Sequence, residues 1–95
     1  MELSIPLSKF FEAIASDGRI GPTHISLFVA LLHQWDKSGG QNPFGVDRTV
    51  IMLTAKIKAR HTYNKCMHDL KAYGHLHYWP SRGRHSQSQV ALISI

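Results

Sequence analysis

At Gly74 the spacing of apolar residues changes, and no other feature of this 95-residue chain restricts its fold as much. Before that glycine, apolar side chains recur three and four apart, the period of a helix. The steps between Tyr63, Cys66, Met67, Leu70 and Tyr73 are 3, 1, 3 and 3. After it they alternate: Leu76 and Tyr78 share one side of a segment whose other side is His75, His77 and Trp79, the period of a half-buried strand. The chain is therefore expected to be mainly α with a small antiparallel β-hairpin, an α+β domain. Its length leaves no room for a second core, so residues 1–95 read as one domain.

Four helices are expected before the switch. Pro6 suits a first turn, Leu7, Phe10, Phe11 and Ile14 form a helical stripe, and Ser16-Asp17-Gly18 closes it. Gly21-Pro22-Thr23 opens a second helix, in which Ile25, Phe28, Val29, Leu32 and Trp35 are joined by Leu27 and Leu31. So wide an apolar face predicts a central helix packed on more than one side. Ser38-Gly39-Gly40 ends it, and Gln41-Asn42-Pro43 reads as loop. A short helix is predicted from Val46 to Ala55 with Asp47 as its cap; the β-branched run Thr49-Val50-Ile51 means that packing must hold it. Lys56-Ile57-Lys58 is the break, and the fourth helix runs from about Ala59 to Tyr73. The polar stretch Pro80–Ser88 then links the first strand to a second at Val90–Ile95, with Val90, Leu92 and Ser94 facing one way and Ala91, Ile93 and Ile95 the other. The expected core is Phe10, Ile14, Phe28, Val29, Leu32, Ile51, Met67, Leu70, Leu76 and Leu92.

Several classes are set aside. No apolar run approaches the ~20 residues of a membrane span, and the N-terminus lacks the basic and apolar regions of a signal peptide. The expected compartment is the cytoplasm. A single cysteine, Cys66, allows neither an internal disulfide nor a Cys-rich zinc module. It lies on the apolar stripe and is expected to pack as a small hydrophobe. No phosphate-binding glycine loop is present. The reading is of a non-enzyme without cofactor, metal or small-molecule ligand.

Charge points instead to a polyanion. Eleven Lys and Arg against six Asp and Glu give +5, and the distribution is one-sided. Residues 1–45 carry a net −1, residues 46–95 a net +6 together with five of the seven histidines. A basic half on a small protein suits nucleic acid; the bland alternative is a merely soluble surface.

The order of elements, and the run from Ile57 to Leu76, resemble the winged helix-turn-helix family of DNA-binding proteins, in particular small regulators of Bacteroides-type bacteria and their mobile elements. Lys58, Arg60, Thr62, Tyr63, Cys66, Leu70 and Gly74 match the family's run into the wing, while His75 stands where the family has an aromatic residue. The helix-turn-helix would span about 46–73 and the wing about 75–95. The resemblance implies sequence-specific binding of double-stranded DNA and a role in transcription regulation. The fourth helix would enter the major groove with Lys58, Arg60, His61, Thr62, Asn64 and Lys65 in its leading half and His68 farther along. Arg60 would suit guanine and Asn64 adenine, while Arg48, Lys58, Lys65 and Lys71 would suit phosphates. Thr23 and Thr49, near helix starts, could add backbone contacts. Arg82 and Arg84 would form the basic wing tip along the minor groove or its phosphates. Three alternatives stand beside this: a winged helix used for protein contact or a homodimer through a patch of Trp79 with Ile93 or Ile95, an accessory role in replication or excision of a mobile element, and RNA binding, which is less suited because the exposed aromatics form no obvious stacking platform.

Overall fold

The computed structural model describes residues 4–81, 83 and 87–93. The expected wing-tip residues Arg82 and Arg84, and the strand residues Ser94 and Ile95, lie outside the described residues. Among the described residues the order is α1 (Ser4–Ile14), α2 (Pro22–Lys37), β1 (Phe44–Val46), α3 (Arg48–Ala55), α4 (Arg60–Ala72), β2 (Leu76–Trp79) and β3 (Ser88–Leu92). This is a small α+β domain with four helices and a three-stranded antiparallel sheet of order β1-β3-β2. No helix among these residues is long and apolar enough to cross a membrane.

Helix α2 is central, as its wide apolar face requires. Leu27, Phe28, Ala30, Leu31, Leu32 and Trp35 are all buried, and α2 packs against α3, α4 and β1. Val29 departs from the expected core and is 42% exposed. It shares with exposed His33 a strip of α2 left uncovered once the other sides are packed. Ile14 is only partly buried against the core. The other eight expected core residues are buried, joined by Tyr63, Cys66, Val90 and others.

The sheet has one strand more than the alternating pattern suggested. Phe44-Gly45-Val46 is β1, so Val46 belongs to a strand and not to the third helix. Its register places Phe44 opposite Val90 and Val46 opposite Ser88. Asn42 continues the ladder with its side chain: Nδ2 donates to the Leu92 carbonyl at 2.9 Å, and the Leu92 N–H donates to Oδ1 at 2.8 Å. On the other edge, Leu76 faces Leu92 and Tyr78 faces Val90, which puts Leu76, Tyr78, Val90 and Leu92 inward as expected.

At the end of α4, Gly74 adopts φ +86°, open to glycine without steric penalty, and the His75 N–H donates to the Leu70 carbonyl at 2.9 Å, a Schellman closure. This turn carries His75 out of the alternating strand. Its ring is largely buried, edge-on to Phe10 at 5.5 Å between centroids, and Phe10 in turn stacks on Phe28 at 3.8 Å. His75 Nε2 lies 3.9 Å from Asp17 Oδ2, beyond hydrogen-bond distance. Asp17 itself grips Arg19 with both oxygens at 2.8 Å, and the Arg19 guanidinium lies 3.9 Å over the Tyr73 ring.

Burial holds His75 below its ordinary imidazole value, with Asp17 opposing. An imidazole whose folded value is depressed stabilises the fold fully only above its unfolded value near 6.5. Below that, the unfolded chain takes up a proton that the folded chain refuses. Arg19 holds Asp17 down at about 2, so Asp17 does not titrate in the same window. Urea unfolding should therefore give a lower free energy at pH 5.5 than at pH 7.5, and His75→Leu should reduce the difference. An equal pH dependence in that variant would assign the effect to other groups.

Candidate nucleic-acid interface

The segment from Asp47 to Ala72 turns Ile51, Ala55, Ile57, Tyr63, Cys66, Met67 and Leu70 inward and its Lys and Arg side chains outward, with Val50 and Leu53 of α3 left exposed. Asp47 caps α3 by accepting from the N–H groups of Thr49 at 2.8 Å and Val50 at 3.3 Å. Helix α3 then buries Ile51 and Ala55. Lys56 ends it in the left-handed conformation, φ 62° and ψ 33°, and the Ile57 N–H donates back to the Met52 carbonyl at 2.9 Å. Ile57 is buried while Lys56 and Lys58 on either side of it are exposed. One inward isoleucine thus fixes a four-residue turn with a lysine standing outward on each side.

Helix α4 starts after Ala59, which offers no side-chain cap. Its first N–H groups therefore add partial positive charge to the end bearing Lys58 and Arg60. Tyr63, Cys66, Met67 and Leu70 are buried. Desolvation pushes the Tyr63 hydroxyl and the Cys66 thiol up from their ordinary values, which marks both as core groups. Arg60, His61, Asn64, Lys65, His68 and Lys71 are exposed. Thr62 is half-buried at the flank, where it joins Thr23, Ser26, Lys56 and Lys58 around an open depression of about 500 Å³ between the starts of α2 and α4. Thr23 thus falls near the basic turn, whereas Thr49 lies exposed in the first turn of α3.

Two expected residues are less free than the sequence suggests. Lys65 Nζ lies 2.8 Å from Asp69 Oδ2, one turn along α4. Its phosphate contact would have to compete with that ion pair. His68 sets its ring edge-to-face with Tyr78 at 5.7 Å between centroids, so it has a packing partner as well as exposure. Arg48 is exposed at the first turn of α3.

Asp69 is the participant that the sequence reading missed, although the i,i+4 spacing of Lys65 and Asp69 was a signal for it. Besides Lys65, it accepts from His24 Nε2 at 2.8 Å. His24 is buried, and its Nδ1 accepts from the Gly21 N–H at 3.0 Å. The ring thereby carries its proton on Nε2 and ties the first turn of α2 to the last turn of α4. Lys65 and His24 together lower the Asp69 carboxyl below the usual range. Lys56, read from the sequence only as part of the break, belongs to the same basic edge as Lys58.

On the opposite side of the sheet, the proposed patch of Trp79 with Ile93 is not formed. Trp79 pairs with Gln89, whereas Ile93 follows Leu92, the partner of Leu76. They lie at opposite ends of the hairpin. What Trp79 does meet is His77, stacked at 5.9 Å between centroids with 29° between planes, so the exposed aromatics are closer to a platform than the sequence implied. Among the described residues, no group of three His, Cys, Asp or Glu side chains gathers as a metal ion needs. No family model, curated protein or solved structure matches the chain.

The Asp69 tie separates two variants. Asp69→Ala leaves a buried His24 N–H without its acceptor and should lower unfolding free energy by about 1–3 kcal/mol. Lys65→Ala removes only an exposed ion-pair partner and should cost less than about 0.5 kcal/mol. Denaturant titration of both would reject the His24 tie if the two losses were equal.

Proposed function

We propose that the chain is a winged helix-turn-helix domain that binds double-stranded DNA, with α4 in the major groove and the basic turn on the flanking phosphates. Regulation of transcription is the role such a module fits. The sequence of α2, β1, α3, α4, β2 and β3 with the sheet order β1-β3-β2 supports that class, with α1 as an addition at the front.

One observation carries the functional reading. The exposed side of α4 and the preceding turn present cations, imidazoles and an amide, while both carboxylates of residues 46–95 are taken up internally, Asp47 by the α3 cap and Asp69 by His24 and Lys65. A surface so depleted of free anions has the electrostatics that a phosphate backbone requires. Asn64 and Arg60 have the donor geometry for base edges, while Lys56, Lys58 and Arg48 are suited to phosphates. Arg82 and Arg84 remain candidates for the wing tip on sequence grounds alone.

Val50 and Leu53 are 46% and 69% exposed on α3. They favour a second reading in which α3 contacts a protein, a second copy included. Self-association that Leu53→Lys abolishes in sedimentation would support it, and a monomer at all concentrations would count against the homodimer.

Fluorescence anisotropy on a labelled random duplex tests the main proposal. Affinity should fall by orders of magnitude between about 50 and 200 mM salt. Lys56→Gly with Lys58→Ala should reduce the salt slope by about two. Arg60→Ala with Asn64→Ala should erase the preference for a selected site over random duplex. Negligible binding at 50 mM salt would overturn the proposal.

A further inference from the structure

The outer face of the sheet carries a feature that duplex binding by α4 does not use. His77 and Trp79 are two apart on β2 and both point away from the core. Their rings are stacked, and Trp79 is 50% exposed. The residues paired with them are Ala91 and Gln89, and Gly45 lies across from Gln89 on β1. None of these is bulky enough to bury an indole, and Gly45 keeps that part of the face low, with the Gln87 side chain lying against it. The inner face of the same strands is already filled by Leu76, Tyr78, Val90 and Leu92, so the aromatic pair is not displaced core.

We propose that the His77–Trp79 pair is a stacking platform for an unpaired base of single-stranded nucleic acid. Aromatic rings stack on the faces of all bases, so such a platform needs no sequence readout. The electrostatics permit a phosphate alongside: the chain has no Asp or Glu after Asp69, so no strand of the hairpin brings a carboxylate to this face. Gln87 and Gln89 offer amides of the kind that bond base edges. A protein partner is less well matched. The core of a protein interface needs contiguous apolar area, and here one indole is surrounded by polar side chains, with Ile93 at the far end of the hairpin.

The chain reports on this site by itself. It holds two tryptophans, and Trp35 is buried, so quenching of emission by a bound base is read from Trp79. The full chain is titrated with a short oligothymidine, the matching oligouridine and a blunt duplex of the same length. Saturable quenching by a single strand is expected. Trp79→Ala should weaken single-strand binding about tenfold, the effect of one stacked base, and leave duplex affinity within about twofold. Trp79→Phe, which keeps an aromatic face, should retain most of the affinity by anisotropy. Absence of quenching by either strand overturns the platform, as does quenching by the duplex at least as strong as by the single strands. An emission shift that follows protein concentration without nucleic acid also overturns it and assigns the face to self-association. The duplex reading fails separately, through loss of duplex binding with single-strand quenching intact.

Discussion

Helix α4 has a single apolar stripe, and burying it decides the orientation of the polar groups of that helix proposed to meet DNA. Tyr63, Cys66, Met67 and Leu70 can leave water only by pressing against α2 and β2. Once they do, His61, Asn64, Lys65 and His68 have nowhere to go but outward, because residues three and four apart on a helix share a side. Hydrophobic burial sets this direction but not the rotation about it. The His24–Asp69 bond supplies that second constraint by fastening the last turn of α4 to the first turn of α2. Burial is non-directional, whereas a hydrogen bond to a carboxylate at 2.8 Å is not.

The same economy governs charge. Asp17, Asp47 and Asp69 each sit within hydrogen-bond distance of an internal donor: Arg19, the α3 N–H groups, and His24 with Lys65. Two of these carboxylates stand within the basic half, where a free anion would repel a phosphate. Engaged internally, they contribute to the fold while keeping their charge, and the eight Lys and Arg of that half outweigh the two of them. Lys65 shows the limit of the arrangement. Its ammonium is partly neutralised by the very carboxylate that positions the helix, so the strongest positive edge shifts toward Lys56, Lys58 and Arg60.

Much of this was legible in the sequence because it depends on local period. The helices, the switch at Gly74 and the inward set of the hairpin follow from spacing alone. Strand β1 was not legible. Three residues are too few to show alternation, Val46 beside a good cap at Asp47 reads equally well as a helix start, and the pairing that makes Phe44–Val46 a strand comes from residues more than forty positions later. His75 was misplaced for a related reason: the alternation extends back to it on paper, but the turn at Gly74 sends its ring onto Phe10. Among the candidate site residues that the structure describes, exposure followed the helical spacing except at half-buried Thr62, whereas partners made across elements, such as Tyr78 for His68 or His24 for Asp69 beside Lys65, did not show in it.

Lys56 brings these strands of reasoning together. A left-handed residue at a helix end is ordinarily glycine, because other side chains incur about 1–2 kcal/mol of steric cost there. Lysine at that position is exposed, so its side chain gains little burial to offset the strain. The turn is already secured by Ile57, so nothing in the packing calls for a side chain at position 56. A locally unfavourable choice without a structural return is the kind of inconsistency expected where a residue serves a surface role. Beside Lys58 and the uncapped start of α4, the return that fits is positive charge at the proposed phosphate contact.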